Sequence, residues 1–256
     1  VVVYAFHNAD GGLTLHNFSY LPGYLPIFGR SFWLAFLSTV VCLALGYPMA
    51  YLMSRLSASK QSLCMMLIML PMWINFLLRT YAWMSILENN GFINQFFRSI
   101  GLISFLQSHF GYSLDYIPLI NTQGAIVLGM VYNFLPFMIY PIYNTLQKMD
   151  HSLIEAAQDL GANPSQVFIK AVFPLSMPGV MSGIMMVFMP TISTFAIAEL
   201  LTMNNIKLFG TTIQENINNG MWNYGAALSL IMLLLIGITG LFSNESSDSA
   251  NEGGLI

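Results

Sequence analysis

Long apolar runs almost free of charge constrain this chain more than any other feature. Five of them, at about 31–53, 63–87, 122–146, 177–201 and 223–242, hold about 20–25 residues each. Read as helices with a rise of about 1.5 Å per residue, each is long enough to cross a hydrocarbon core about 30 Å thick. Only 7% of the 256 residues are charged, against roughly a quarter in a soluble domain. So few charges cannot hydrate a water-facing surface, and the bilayer is the solvent that this composition matches. The opening Val1-Val2-Val3-Tyr4-Ala5-Phe6 reads as the end of a further helix whose beginning is missing, with no charged leader of a secretory signal before it. The expectation is therefore an all-α membrane protein with five full spans and the remnant of a sixth.

Composition also excludes. The net charge is −3 and the eight basic residues are scattered, so no phosphate-tracking stripe exists and nucleic acid is not a partner. Cys42 and Cys64 lie inside apolar runs without metal-ligand spacing, and read as small core hydrophobes. The histidines His7, His16, His109 and His151 are dispersed, and there is neither an HExxH pair nor a Walker A loop. A metal, catalytic residues or ATP hydrolysis by this chain are accordingly not expected. A secondary transporter would need coupling-ion groups near the midplane and commonly internal repeats; the sequence shows no repeat and too few ionisable groups within its apolar runs.

Orientation follows the lysines and arginines of the short loops. Arg55 and Lys60 bracket one loop, and Lys148 and Lys170 lie in a second at 147–175, which places both in the cytoplasm. Residues 1–30 then comprise the end of the first helix and an extracytoplasmic loop. The membrane domain occupies 31–242, and 243–256 is a polar tail. Pro48, Pro71, Pro136, Pro141, Pro178 and Pro190 lie within the spans, where each frees a carbonyl that neighbours must satisfy. The stretch 91–98 reads as a short amphipathic helix at the interface.

The most informative segment is Asp150 to Pro174. Ser152 and Glu155 have the spacing of a capping box, so a first helix starts near Ser152 and runs to Leu160. Gly161 supplies the left-handed residue that ends it. Asn163, Pro164 and Gln166 supply a second start, and Val167, Phe168, Ala171 and Val172 form an apolar face for the bundle. Ala156 and Ala157 leave a small-residue surface on the first helix that another protein can approach closely. A helix-turn-helix elbow of this kind suits docking better than catalysis.

Glu155-Ala156-Ala157, Gly161 four residues later and Pro174 thirteen further on resemble the EAA loop of permease subunits in bacterial ATP-binding cassette importers. Ala171 and Phe173 stand where that loop usually carries Ile and Leu, and both remain apolar. The runs 70–83 and 129–138 and Gly225-Ala226-Ala227 are similar to the spermidine/putrescine branch, in particular to the first of its two permease subunits. The acidic, serine-rich end from Asn244 departs from that pattern.

The resemblance implies the transmembrane domain of a type I importer in the bacterial inner membrane, with a cytoplasmic coupling helix. It implies two ATPase subunits that carry the ATP and magnesium, a second homologous permease, an extracytoplasmic polyamine-binding protein, and surrounding membrane lipid. Glu155, Ala156, Ala157, Asp159, Gly161 and Pro174 are its coupling residues. Polyamines are cations with methylene spacers, so their pathway wants carboxylates and aromatic faces. Glu199 is the one acidic residue well within a run, and it either meets an ammonium group or pairs with Arg79. Trp73, Asn75, Tyr81, Trp83 and Tyr132 are candidate wall residues, with packing or interfacial anchoring as the other reading of the aromatics. The loop itself does not separate polyamines from a phosphonate, ferric iron or an amino acid.

Overall fold

The computed structural model describes residues 1–7, 12–19, 21–110 and 113–252. Among the described residues the α-helices are α1 (Val2–Phe6), α2 (Leu21–Ser54), α3 (Ala58–Met69), α4 (Phe76–Leu87), α5 (Phe92–Ser99), α6 (Leu102–Phe110) and α7 (Gln123–Gln147), followed by α8 (His151–Asp159), α9 (Pro164–Val167), α10 (Phe173–Ser193), α11 (Ala196–Thr202), α12 (Phe209–Asn218) and α13 (Trp222–Glu252). No strand occurs among the described residues, only an isolated bridge between His7 and Leu13.

The spans depart from five unbroken helices. By length and apolarity α2, α7 and the stretch Pro164–Ser193 each suffice to cross a membrane. The expected span 63–87 is divided: α3 passes into a 3-10 turn over Leu70–Trp73 before α4 begins. Pro71 cannot donate to the preceding turn, and Asn75 restarts the helix by accepting from Leu77 N at 2.8 Å. The expected span 177–201 is interrupted between Ser193 and Ala196. The described apolar part of α13, Trp222–Ile238, falls short of spanning length, and the backbone helix runs on through the expected tail to Glu252. In the other direction, α2 begins at Leu21, ten residues before the expected start. Pro22 stands in the first turn of α2, where proline is compatible with a helix.

The chain divides into two compact units, 1–38 with 72–133 and 191–232, and 39–71 with 134–190 and 233–256. In the first, Ala5 packs against Ala226 and Ala227, and Gly129 of α7 meets Ile197 and Leu201 of α11, leaving a Cβ only 2.7 Å from Leu201. Small residues permit such approach where burial from water gives no drive between helices. Asn94 of α5 is fully buried; it accepts from Ile117 N at 2.8 Å and donates to Ile117 O at 3.0 Å and Glu88 O at 3.2 Å. Phe92 and Phe96 of the same helix are exposed. In the second unit, Cys42, Met138, Ile139, Ile142, Val180 and Val187 are buried. There Gly179 of α10 lies so near α7 that a Cβ would stand 2.8 Å from Pro141 O.

Candidate functional site

The segment after α7 is built by three local devices. Asp150, rather than Ser152, caps α8, its carboxylate accepting from Ser152 N at 2.9 Å. A carboxylate two residues earlier competes successfully with the Ser-x-x-Glu spacing, and Glu155 is released from the capping role expected of it. At the other end Gly161 adopts φ +81°. Gly161 N donates to Gln158 O at 2.8 Å and Ala162 N to Ala157 O at 3.1 Å, the paired bonds of a Schellman motif. Asn163 and Gln166 then exchange side-chain bonds to each other's backbone N–H, both at 2.9 Å, with Pro164 at the first helical position. This second start is the reciprocal capping box that its residues predict.

The elbow continues through a wider π-helical turn, Phe168–Val172, in which Phe173 N donates to Phe168 O. Pro174 has no N–H to give to the turn beneath it, and α10 carries it on its exposed first turn. Val167 and Val172 are buried, while Phe168 sits edge-on to Tyr51 and Tyr47 at 5.2 and 5.9 Å between centroids. The elbow is thereby packed onto the second part of α2. On α8 Ile154 and Ala157 are partly covered, whereas Ser152, Leu153, Glu155, Ala156, Gln158, Asp159 and Leu160 are exposed. Of these, Ser152, Glu155, Ala156, Asp159 and Leu160 follow the spacing of one helix stripe. Leu160 is 89% exposed and Leu153 49%, so apolar side chains flank two carboxylates on a face that no described residue covers.

The expected pathway residues fall in the other unit, and the structure brings only some together. Trp83 of α4 and Tyr132 of α7 meet in a T-shaped contact at 5.3 Å. Tyr81 is 47% and Trp73 87% exposed. Asn75 spends its side-chain oxygen on capping α4. Glu199 is exposed on α11, which packs against α4. No ion pair joins it to Arg79 among the described residues, whose salt bridges are Arg98–Asp115 and Lys207–Glu215. Arg79 Nε is buried without a hydrogen-bond partner. Two further polar groups escaped sequence reasoning. Asn133 is 2% exposed, with its amide donating to Gly129 O at 2.8 Å and Oδ1 unpartnered. Gln61 links three helix ends through four hydrogen bonds. Nothing in local periodicity marks either, since their partners lie on other turns or other helices.

Residues 13–248 match the family described as "binding-protein-dependent transport system inner membrane component". The chain belongs to that family. It is 33% identical to the spermidine/putrescine transport system permease protein PotB of Haemophilus influenzae over 247 residues, 93% of this chain and 83% of that protein. With PotB of Escherichia coli K12 the identity is also 33%, over 88% of this chain and 79% of that one. Among solved structures, a bacterial ABC transporter involved in the import of the acidic polysaccharide alginate superposes with a TM-score of 0.78 at 16% identity, covering 97% of this chain and 87% of its counterpart. The fold is that of a transmembrane subunit of an ABC importer. This binding-protein-dependent component is a multi-pass inner-membrane protein of a transport system.

Proposed function

We propose that this chain is the permease subunit through which a polyamine, spermidine or putrescine, passes from an extracytoplasmic binding protein into the cytoplasm. Two separate ATPase subunits, carrying the ATP and magnesium, drive it through α8, and a second homologous permease completes the pore. The observation that carries the reading is the pairing of PotB-like sequence over 93% of the chain with an α8 whose Glu155, Ala156, Asp159 and Leu160 face is uncovered.

The mechanism follows from that face. Ala156 lets a partner approach closely, Leu153 and Leu160 offer apolar burial, and Glu155 and Asp159 offer carboxylates to basic groups at the rim. Gly161 and the Asn163–Gln166 box fix the angle at which α8 leaves the elbow, so that displacement of α8 is passed to α10 rather than absorbed. Pro174 and the wide turn before it mark where the movement enters the span. In the other unit Glu199 supplies a carboxylate for an ammonium group, while the Trp83–Tyr132 pair and Tyr81 supply aromatic faces for cation and methylenes.

The test is ATP hydrolysis and uptake by this chain in proteoliposomes with its ATPase, sister permease and binding protein, with and without spermidine on the binding protein. Stimulation and uptake with the loaded protein support the assignment. A complex that hydrolyses ATP but answers to another loaded solute removes polyamine as the substrate. Failure to assemble with any ATPase removes the role of α8.

A further inference from the structure

In the second unit, α3 and the last turns of α7 enclose an open groove of about 370 Å3. Its walls are the rings of Tyr140 and Tyr143, the thioethers of Met65, Met66 and Met69, and the amide of Asn144. No lining side chain carries a formal charge. At one end Gln61 is held by all its valences: Oε1 accepts from Tyr143 OH at 3.1 Å and Gln147 Nε2 at 3.3 Å, and Nε2 donates to Ser54 O at 3.1 Å and Leu56 O at 2.9 Å. That end of the groove is thus a fixed wall rather than a set of mobile side chains.

The lining selects its ligand by what it lacks. An anion would need an ammonium or guanidinium among the wall groups, and there is none. A purely apolar chain would gain nothing from the amides. Aromatic faces, thioether sulfurs and amide oxygens all present partial negative charge to a cation, and the methionine side chains cover methylenes. A linear alkyl polyammonium ion satisfies both kinds of wall. The missing carboxylate keeps the hold weak, which a transit site requires if the ion is to leave. The place agrees with the chemistry, since α3 starts at Ala58, between Arg55 and Lys60, and α7 ends before α8, at the two loops read as cytoplasmic.

We infer that this groove is the exit stage for the polyammonium substrate, an inference that rests on the polyamine reading and adds a second site to it. The test uses the complete transporter in proteoliposomes. Asn144→Lys places a fixed ammonium in the groove. Spermidine uptake then falls about tenfold or more, while ATP hydrolysis stimulated by the loaded binding protein stays near wild type. Unchanged uptake by that variant overturns the inference.

Should Asn144→Lys fail to assemble, Tyr140→Cys, in a chain with Cys42→Ser and Cys64→Ser, gives an independent readout. A water-soluble cationic thiol reagent added from the cytoplasmic side labels it, and spermidine slows the labelling severalfold. Labelling by a membrane-soluble maleimide alone means lipid fills the groove. Labelling by neither means the sister permease covers it. Both results overturn the inference, as does labelling that spermidine leaves unchanged. If the wild-type transporter takes up no polyamine, the substrate reading itself fails and the groove inference falls with it. Normal wild-type uptake with an insensitive Asn144→Lys removes the groove alone.

Discussion

Gly161 permits a sharp test, because its side-chain position is open. A Cβ added there meets nothing within 4 Å, while the backbone stands at φ +81°. Any penalty of substitution is therefore conformational and not steric crowding by neighbours. For an ordinary residue the left-handed region costs about 1–2 kcal/mol, and more for a β-branched one. Opposing it are the two Schellman bonds, Gly161 N to Gln158 O and Ala162 N to Ala157 O, each contributing about 0.5–1.5 kcal/mol. Strain and restraint are of the same size, so Gly161→Val abolishes the fixed exit angle of α8 in a large fraction of molecules, while Gly161→Ala weakens it less. Asn tolerates the left-handed region and costs least. Coupled uptake in proteoliposomes, divided by ATP hydrolysed, should fall in the order Gly, Asn, Ala, Val, with about a 5–30-fold span for 1–2 kcal/mol. Membrane insertion should stay constant. Wild-type coupling in Gly161→Val refutes the reasoning, and so does a loss that follows side-chain size with Asn worse than Ala.

Leu160→Glu puts a charge on a side chain that is 89% exposed, so thermal stability should hold while affinity for the ATPase, read by co-purification or light scattering, weakens by about tenfold. Asn94→Leu keeps the volume but leaves Ile117 N unpaired in a buried site; stability should fall by about 1–3 kcal/mol, seen as a lower Tm in detergent and earlier proteolysis in 113–121. Gly179→Leu brings a side chain against Pro141 O and Thr145, and overpacking of about 1–3 kcal/mol should lower the Tm; an unchanged Tm refutes the close α7–α10 contact. Glu199→Gln should reduce polyamine uptake and leave assembly with the ATPase intact, since no ion pair among the described residues holds Glu199 in place.

What sequence made legible was whatever short-range chemistry decides. Asn163, Pro164 and Gln166 specify a helix start through bonds within three residues, and the structure has that box. Gly161 was legible for the same reason. The start of α8 was not, because Asp150 and Ser152 are both good caps and the choice depends on how the chain leaves α7, which a spacing rule does not contain. Pro71 announced a weak point, but its outcome, a full break reset by Asn75, depends on whether the freed carbonyls find other partners. Of the two readings of Glu199, the pairing with Arg79 is absent among the described residues: charge type was readable, while side-chain direction on two different helices was not. Gln61 shows the limit most plainly, since its partners lie at 54, 56, 143 and 147, and the last two are brought near only by packing.

The interruptions in the spans bear on where water must reach. Irregular backbone at membrane depth persists only where protein buries it or water solvates it. One break, at 194–195, is covered by protein: Gly210 at the start of α12 lies against Ser193 O and Thr194 O, leaving a Cβ 2.6 Å from the first. The other, at 74–75, has Trp73, Ile74 and Asn75 exposed, with the Asn75 side chain accepting from Leu77 N and Asn75 O accepting from Arg79 N. α4 follows directly and carries Arg79, whose Nε has no protein partner, together with Tyr81 and Trp83. A guanidinium nitrogen and a helix break left open on one short helix are costly in hydrocarbon and inexpensive beside water. Both point to hydration along α4, which packs against α11, the helix that carries the exposed Glu199.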